Sequence, residues 1–284
     1  MKIGICLNEY AREFPLKEAA RLLREDGFEA IDFSNLADVE GQLYTEDEEK
    51  VKLQLAEIAK ALAAEGIVIS QIHGPWRYPP KDDTAEERAN WLALMKRSVR
   101  AATYIGAPYV VVHPLMPFGA NSPENPAEVL RINTEHYTSL CDYAKDFGIT
   151  VCIENMPFPD FPMARVSDLI YFVDSLGKDN FKICLDTGHA NVCGENIADA
   201  IRALGSRLAT FHIHDNDGKQ DQHHCPGFGN ADFSGMGGAL AEIGFSGVLS
   251  AEAHVARDST KDSFRSAAKS LANSLLKIKE NRYF

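Results

Sequence analysis

The sequence predicts an α/β fold in one domain, a closed (β/α)8 TIM barrel spanning residues 1–284. Three observations predict it: eight short apolar segments rich in β-branched residues, helical periodicity between them, and no Ser/Gly/Pro tract that would read as a linker. Strict alternation of the two segment types implies a parallel sheet covered by helices. Eight such units in 284 residues fit a barrel closed on itself. A doubly wound open sheet is the competitor, but no Gly-x-Gly-x-x-Gly follows the first strand.

The strands are expected at 2–7, 29–33, 67–72, 109–112, 149–153, 181–185, 208–213 and 247–251. Among the intervening helices, Val51, Leu55, Ile58 and Leu62 share one face, as do Leu92, Met95, Val99 and Ala102. Leu130, Tyr137, Leu140, Cys141 and Ala144 form a third stripe. Glycines that end helices precede several strands, as in EDGFEAI and DFGITV. The longest irregular segments, 74–83, 114–126, 155–165 and 215–231, all follow strands. In a barrel that is the face on which active sites are built.

Composition narrows the function classes. Hydrophobic residues make up 45% and charged residues 25%, as in an ordinary folded domain and unlike a disordered chain. No apolar run approaches the roughly 20 residues of a membrane span, so no membrane partner is expected. The formal charge of −12 leaves no basic footprint for nucleic acid. Six scattered cysteines without a CxxC pair, and a start that reads as a strand, predict a reduced cytoplasmic protein.

The candidate chemistry lies at the strand ends. His73 ends the third strand, His113 the fourth, Glu154 the fifth and Asp186 the sixth, with His189 three residues on. His214 ends the seventh, Asp221 and His223 follow in its loop, and Glu252 ends the eighth. In a barrel these nine side chains converge on one mouth, where they would repel or desolvate one another without a bound cation. Imidazole and carboxylate donors without thiolate suit Zn, Mn, Fe or Co. His212 and His254 each lie two residues from a proposed ligand and are expected to support it. His224 is expected in a loop, and His136, inside a helix, in solvent. Trp76, Arg77 and Tyr78 are candidates to wall a substrate pocket, with Arg77 available to an anionic group. Lys219 is a candidate to reach a substrate oxygen or phosphate.

The run of IENMP, CLDTGH, HIHDND and DQHH followed by PGFGNADF resembles the xylose isomerase-like TIM-barrel superfamily over almost the whole chain. That superfamily joins AP endonucleases of the endonuclease IV type (AP endonuclease family 2) to sugar isomerases and epimerases. The resemblance implies that Glu154, Asp186, His214 and Glu252 hold a central metal. It implies a second site from His73 and His113 with Glu154 bridging, and a third from His189, Asp221 and His223, so one to three divalent ions per chain. In mononuclear epimerases the counterpart of His189 contacts substrate oxygen instead.

Two activities follow from the resemblance. The first is metal-dependent isomerisation or epimerisation of a sugar or sugar phosphate. There Glu154 and Glu252 act as the acid/base pair, and proton transfer passes through an enediolate. The alternative is metal-dependent phosphodiester hydrolysis at abasic DNA sites. Against it, the loop after His73 reads GPWRYPPKDD, without the Ser-Tyr pair typical of the endonuclease branch. The mouth loops also lack a basic and aromatic set for a kinked duplex. A catalytically inactive binding barrel is disfavoured by the intact ligand set.

Overall fold

A computed structural model of the chain describes residues 1–34, 38, 40–80, 82–120, 125–255 and 260–283. Residue 81 of the 74–83 segment and residues 121–124 of the 114–126 segment therefore fall outside the description. Eight strands alternate with helices: β1 (Lys2–Cys6), β2 (Ala30–Phe33), β3 (Val68–His73), β4 (Tyr109–Val112), β5 (Thr150–Glu154), β6 (Phe181–Asp186), β7 (Leu208–His212) and β8 (Val248–Ala251). Every expected strand is present, with ends displaced by at most one residue. All are parallel, in the order β7-β6-β5-β4-β3-β2-β1-β8. The ring closes where Ile213 and Ala251 form a parallel bridge: Ile213 N–H donates to the Ser250 carbonyl at 2.8 Å, and Glu252 N–H to that of Ile213 at 3.1 Å. The chain is thus a TIM barrel.

The described residues hold eleven α-helices rather than eight. The outer ring includes α2 (Leu16–Glu25), α4 (Glu48–Ala64), α5 (Ala85–Ile105), α6 (Pro126–Lys145), α7 (Val166–Leu176), α9 (Ile197–Leu204), α10 (Met236–Glu242) and α11 (Lys261–Lys279). Three short extra helices, α1 (Leu7–Ala11), α3 (Gln42–Thr45) and α8 (Thr187–Val192), follow β1, β2 and β6. At four to six residues, none is long enough to display a hydrophobic stripe.

Burial follows the periodic faces. Val51, Leu55 and Leu62 of α4, Met95, Val99 and Ala102 of α5, and Tyr137, Leu140, Cys141 and Ala144 of α6 are buried against the strands. Each full-sized apolar side chain among them contributes roughly 1.5–3 kcal/mol. Between α6 and β5 the chain reverses at Gly148, whose φ of +67° is open to glycine at little cost. His136 departs from expectation. It is buried on α6, with its Nε2 3.1 Å from the Met95 sulfur and its ring edge-on to Tyr137, because the α6 stripe is wide enough to include it. All six cysteines are free thiols. No described helix is long and apolar enough to cross a membrane.

Inside the barrel, Val111, Cys152 and Cys184 form a small apolar plug. Also buried in the interior is a polar set: Asp32, Gln71, Thr210 and His212 are all at most 1% exposed. The mouth rests on this floor.

Candidate metal centre

Each motif at the mouth has a local structural reason. Asp186 ends β6 and caps α8, its Oδ1 accepting the His189 N–H at 2.6 Å. Thr187 donates its hydroxyl to the His214 carbonyl at 2.8 Å and accepts the His214 N–H at 3.1 Å, joining β6 to the segment after β7. Gly188 has no side chain because the His214 ring occupies that space. Asn155 pairs with both main-chain groups of Asp186, at 2.9 and 2.8 Å, while its own carbonyl accepts His189 Nδ1–H at 2.7 Å. The loop 215–231 folds around the Asp215 carboxylate, which accepts N–H groups from Gly227, Gly229 and Ala231, each at 2.9 Å. That scaffold presents Asp221 and His223. The backbone of His223 is held at φ +49°, a strained value for a non-glycine residue.

The nine expected residues do converge, but in a different grouping. Glu154, Asp186, His212 and Glu252 each offer one donor atom, all within 4.8 Å of one another. His189, His214, Asp221 and His223 form a second such set, and His73, Glu154 and His212 a third. The histidine that joins the three carboxylates is therefore His212, not His214. His212 Nδ1 lies 2.9 Å from Glu154 Oε1 and 3.4 Å from Glu252 Oε2. His214 turns the other way, its Nε2 3.0 Å from Asp186 Oδ2 and 3.5 Å from Asp221 Oδ1. Both residues point into the barrel by strand alternation, so spacing alone could not choose between them. His113 meets Glu154 Oε2 at 3.1 Å, and His73 at 3.7 Å. His254 stacks on His223 at 5.2 Å, with its Nδ1 3.9 Å from Glu9 Oε1. His224 is a loop residue, its backbone paired with Asp215.

Electrostatics and hydrogen bonding both fit a cation. Burial disfavours a charge on His189, yet Asp186 and Asp221 outweigh it and raise the imidazole to about 10. Burial is likewise overcome at His223, raised to about 10 by Asp221 and Glu252. Burial opposes ionisation of Glu154, but the imidazoles of His212 and His113 hold it well below the usual carboxylate range. Glu154 Oε1, Asp186 Oδ2, His212 Nδ1 and both His214 nitrogens are buried without a hydrogen-bond partner. Atoms this close that form no hydrogen bonds aim at a shared point rather than at each other. Hard carboxylate and imidazole donors there suit a divalent ion.

Over these groups opens a cavity of about 430 Å³, with Ser34, Trp76, Tyr78, Met156, Pro157 and Phe158 as its remaining walls. Tyr78 and Phe158 stack at 5.8 Å, and Trp76 meets His113 edge-on at 4.2 Å. Trp76 and Tyr78 thus line the cavity. Arg77 and Lys219 are not among the lining residues. The Arg77 guanidinium lies 4.2 Å over the Trp91 ring and 3.7 Å from Asp82, so aromatic stacking and an ion pair draw it into the wall behind the cavity. Lys219 is exposed on a tight turn in which its N–H donates to Asp217. Sequence reasoning missed Phe158 and Met156, which carry no chemical signature. It also missed Asp32, an acid of β2 that the inward alternation of that strand could have flagged.

Comparison with known proteins places these features in context. The family model of the xylose isomerase-like TIM barrel matches residues 20–274. A D-psicose 3-epimerase of Agrobacterium fabrum is 27% identical over 206 residues, covering 71% of this chain and 70% of that protein. An inosose isomerase of Bacillus velezensis is 26% identical over 167 residues, covering 57% of this chain and 59% of that protein, under two thirds of its length. A crystal structure of D-psicose 3-epimerase in the presence of D-fructose superposes with a TM-score of 0.79 at 21% identity, covering 99% of this chain and all of that one. The IOLI protein with a bound zinc atom gives 0.77 at 20% identity, covering 100% of this chain and 99% of that one. At such identities the structural likeness shows the fold.

Proposed function

The chain belongs to the xylose isomerase-like TIM barrel family, and from that premise we propose that it is a divalent-metal-dependent epimerase or isomerase of an unphosphorylated sugar. The convergence of Glu154 and Glu252 on His212 Nδ1, at 2.9 and 3.4 Å, carries the reading: two carboxylates and one imidazole meet at the floor of a sugar-sized cavity. Its sequence relatives include a D-psicose 3-epimerase and an inosose isomerase.

Glu154, Asp186, His212 and Glu252 would hold the ion; the IOLI structure carries zinc on the same fold. When bound, a divalent cation polarises adjacent carbonyl and hydroxyl oxygens and so acidifies the C–H between them. Glu252, about one-fifth exposed and lining the cavity, would take that proton. Glu154, 1% exposed and held ionised by its imidazoles, would be the base for the reverse direction, and would return a proton in the forward direction only after receiving one from the His113 or His212 imidazole beside it. His189, fixed through Nδ1 by the Asn155 carbonyl, presents Nε2 to the cavity and orients a substrate oxygen. Trp76, Tyr78 and Phe158 supply flat apolar faces for the unreacting carbons.

Among the described residues, no Lys or Arg lines this cavity, while Glu154, Asp221 and Glu252 do. A phosphate would meet carboxylates without a compensating Lys or Arg, and a DNA backbone would meet no lysine or arginine grip. The test is a panel of free and phosphorylated ketoses and inososes, assayed with Mn²⁺, Co²⁺ and Zn²⁺. Metal-dependent conversion of a free sugar is expected; conversion of phosphorylated sugars alone, or cleavage of an abasic duplex alone, refutes the reading.

A further inference from the structure

Asp32 stands outside each of the candidate ligand sets. It sits on β2, fully buried, below the mouth. Its Oδ2 lies 3.0 Å from His212 Nε2 and accepts the Gln71 side-chain N–H at 2.8 Å, while Ser34 donates to Oδ1 at 3.4 Å. Gln71 is itself held: Thr210 donates its hydroxyl to Gln71 Oε1, and Gln71 Nε2 also reaches the Phe211 carbonyl at 3.3 Å. The carboxylate is thus fixed from two sides and aimed at the far nitrogen of the one histidine that faces both Glu154 and Glu252.

A neutral imidazole has one protonated and one lone-pair nitrogen, and a metal takes the lone pair. A buried carboxylate beside Nε2 keeps the proton there and leaves Nδ1 unprotonated. His212 Nδ1 is the atom that points at the Glu154 and Glu252 oxygens and has no hydrogen-bond partner. His189, His223 and His73 fix their rings oppositely, each donating Nδ1–H to a main-chain carbonyl and presenting Nε2. His212 differs in that no main-chain carbonyl holds its Nδ1, and a buried carboxylate, Asp32, meets its Nε2 instead. We propose that Asp32 is a positioning residue that sets the tautomer and ring orientation of His212, making Nδ1 the metal-binding atom. Through its negative charge it also strengthens that nitrogen as a donor. The inference rests on the metal centre of the proposed function.

The experiment uses Zn²⁺ and ¹¹³Cd²⁺ on the full chain. Zn²⁺ affinity is measured by titration calorimetry, after chelation, for the wild type and Asp32→Asn, which keeps the shape and removes the charge. The variant is expected to bind Zn²⁺ about 10- to 100-fold more weakly. Circular dichroism of the metal-free proteins checks that it folds. Affinity within threefold of wild type overturns the role of Asp32 and leaves the metal centre standing; a wild type that binds no Zn²⁺ overturns both. The ¹¹³Cd-loaded wild type, labelled with ¹⁵N-histidine, gives a readout independent of any variant. Coupling of ¹¹³Cd to His212 Nδ1, with a proton retained on Nε2, is expected. Coupling through Nε2, or none at His212, overturns the proposal even if Asp32→Asn does not fold.

Discussion

Substituting His136 by Gln should make the protein markedly less sensitive to acid. Burial, reinforced by Lys96 and Arg88, lowers this imidazole from its ordinary 6.5 to about 3. In the unfolded chain it titrates near 6.5. Between those values the unfolded state binds the extra proton, so stability is fully present above pH 6.5 and is lost progressively as pH falls toward 3. At pH 4.5 the gap from 6.5 spans two pH units at about 1.4 kcal/mol each; allowing for the small loss already present at pH 7, the wild type gives up about 2.5 kcal/mol through this residue. Gln keeps a donor for the Met95 sulfur, 3.1 Å away, and cannot titrate. The loss also reaches the site, because the adjacent Tyr137 donates its hydroxyl to the His113 carbonyl and so anchors the end of β4. The assay is urea unfolding of both metal-free proteins at pH 7 and 4.5. The variant should lose about 2.5 kcal/mol less than the wild type; equal losses, within about 0.5 kcal/mol, would refute the placement of a neutral, buried His136.

Other substitutions probe the mouth. Gly188→Ala sets a methyl group into the His214 ring and should cost roughly 1–3 kcal/mol by thermal unfolding, with weakened zinc binding; an unchanged melting temperature would contradict the packing. His212→Asn should weaken Zn²⁺ binding by more than the roughly 100-fold that an outer partner is worth, whereas His214→Asn should leave the Glu154–Asp186–His212–Glu252 set able to bind one ion. Calorimetry decides between them, and the reverse ranking would restore His214 to the central set. Phe158→Ala, which removes one face of the Tyr78 stack, should raise KM about 2- to 10-fold from a stacking loss of roughly 0.5–1.5 kcal/mol. kcat should stay within about twofold, and a fall in kcat alone would show that Phe158 does more than hold the substrate.

Much of this was legible in the sequence because the signals are local and repeated. Eight β-branched runs and their helical intervals locate the strands, and acids or histidines at successive strand ends mark the mouth. What spacing could not resolve is which of two inward-pointing neighbours, His212 or His214, meets Glu154 and Glu252, since that depends on ring rotation and on Thr187 and Gly188 from another strand. Arg77 illustrates the same limit: a cation beside a pocket loop reads as a substrate contact until Trp91 and Asp82 are seen to hold it. His136 reads as a polar residue on a helix surface, whereas the neighbouring α5 covers it. The aromatic wall depends on 74–83 and 155–165 meeting across the mouth, a pairing with no signal in either loop.

The most direct test of the central claim is solvent deuterium exchange. A free ketose incubated in D2O with the metal-loaded protein should gain deuterium at the carbon beside its carbonyl, seen by NMR or mass spectrometry. Exchange should vanish with chelation and fall sharply in Glu252→Gln. Absence of exchange across a panel of free ketoses and inososes, from a protein that nonetheless cuts an abasic duplex, would contradict the account.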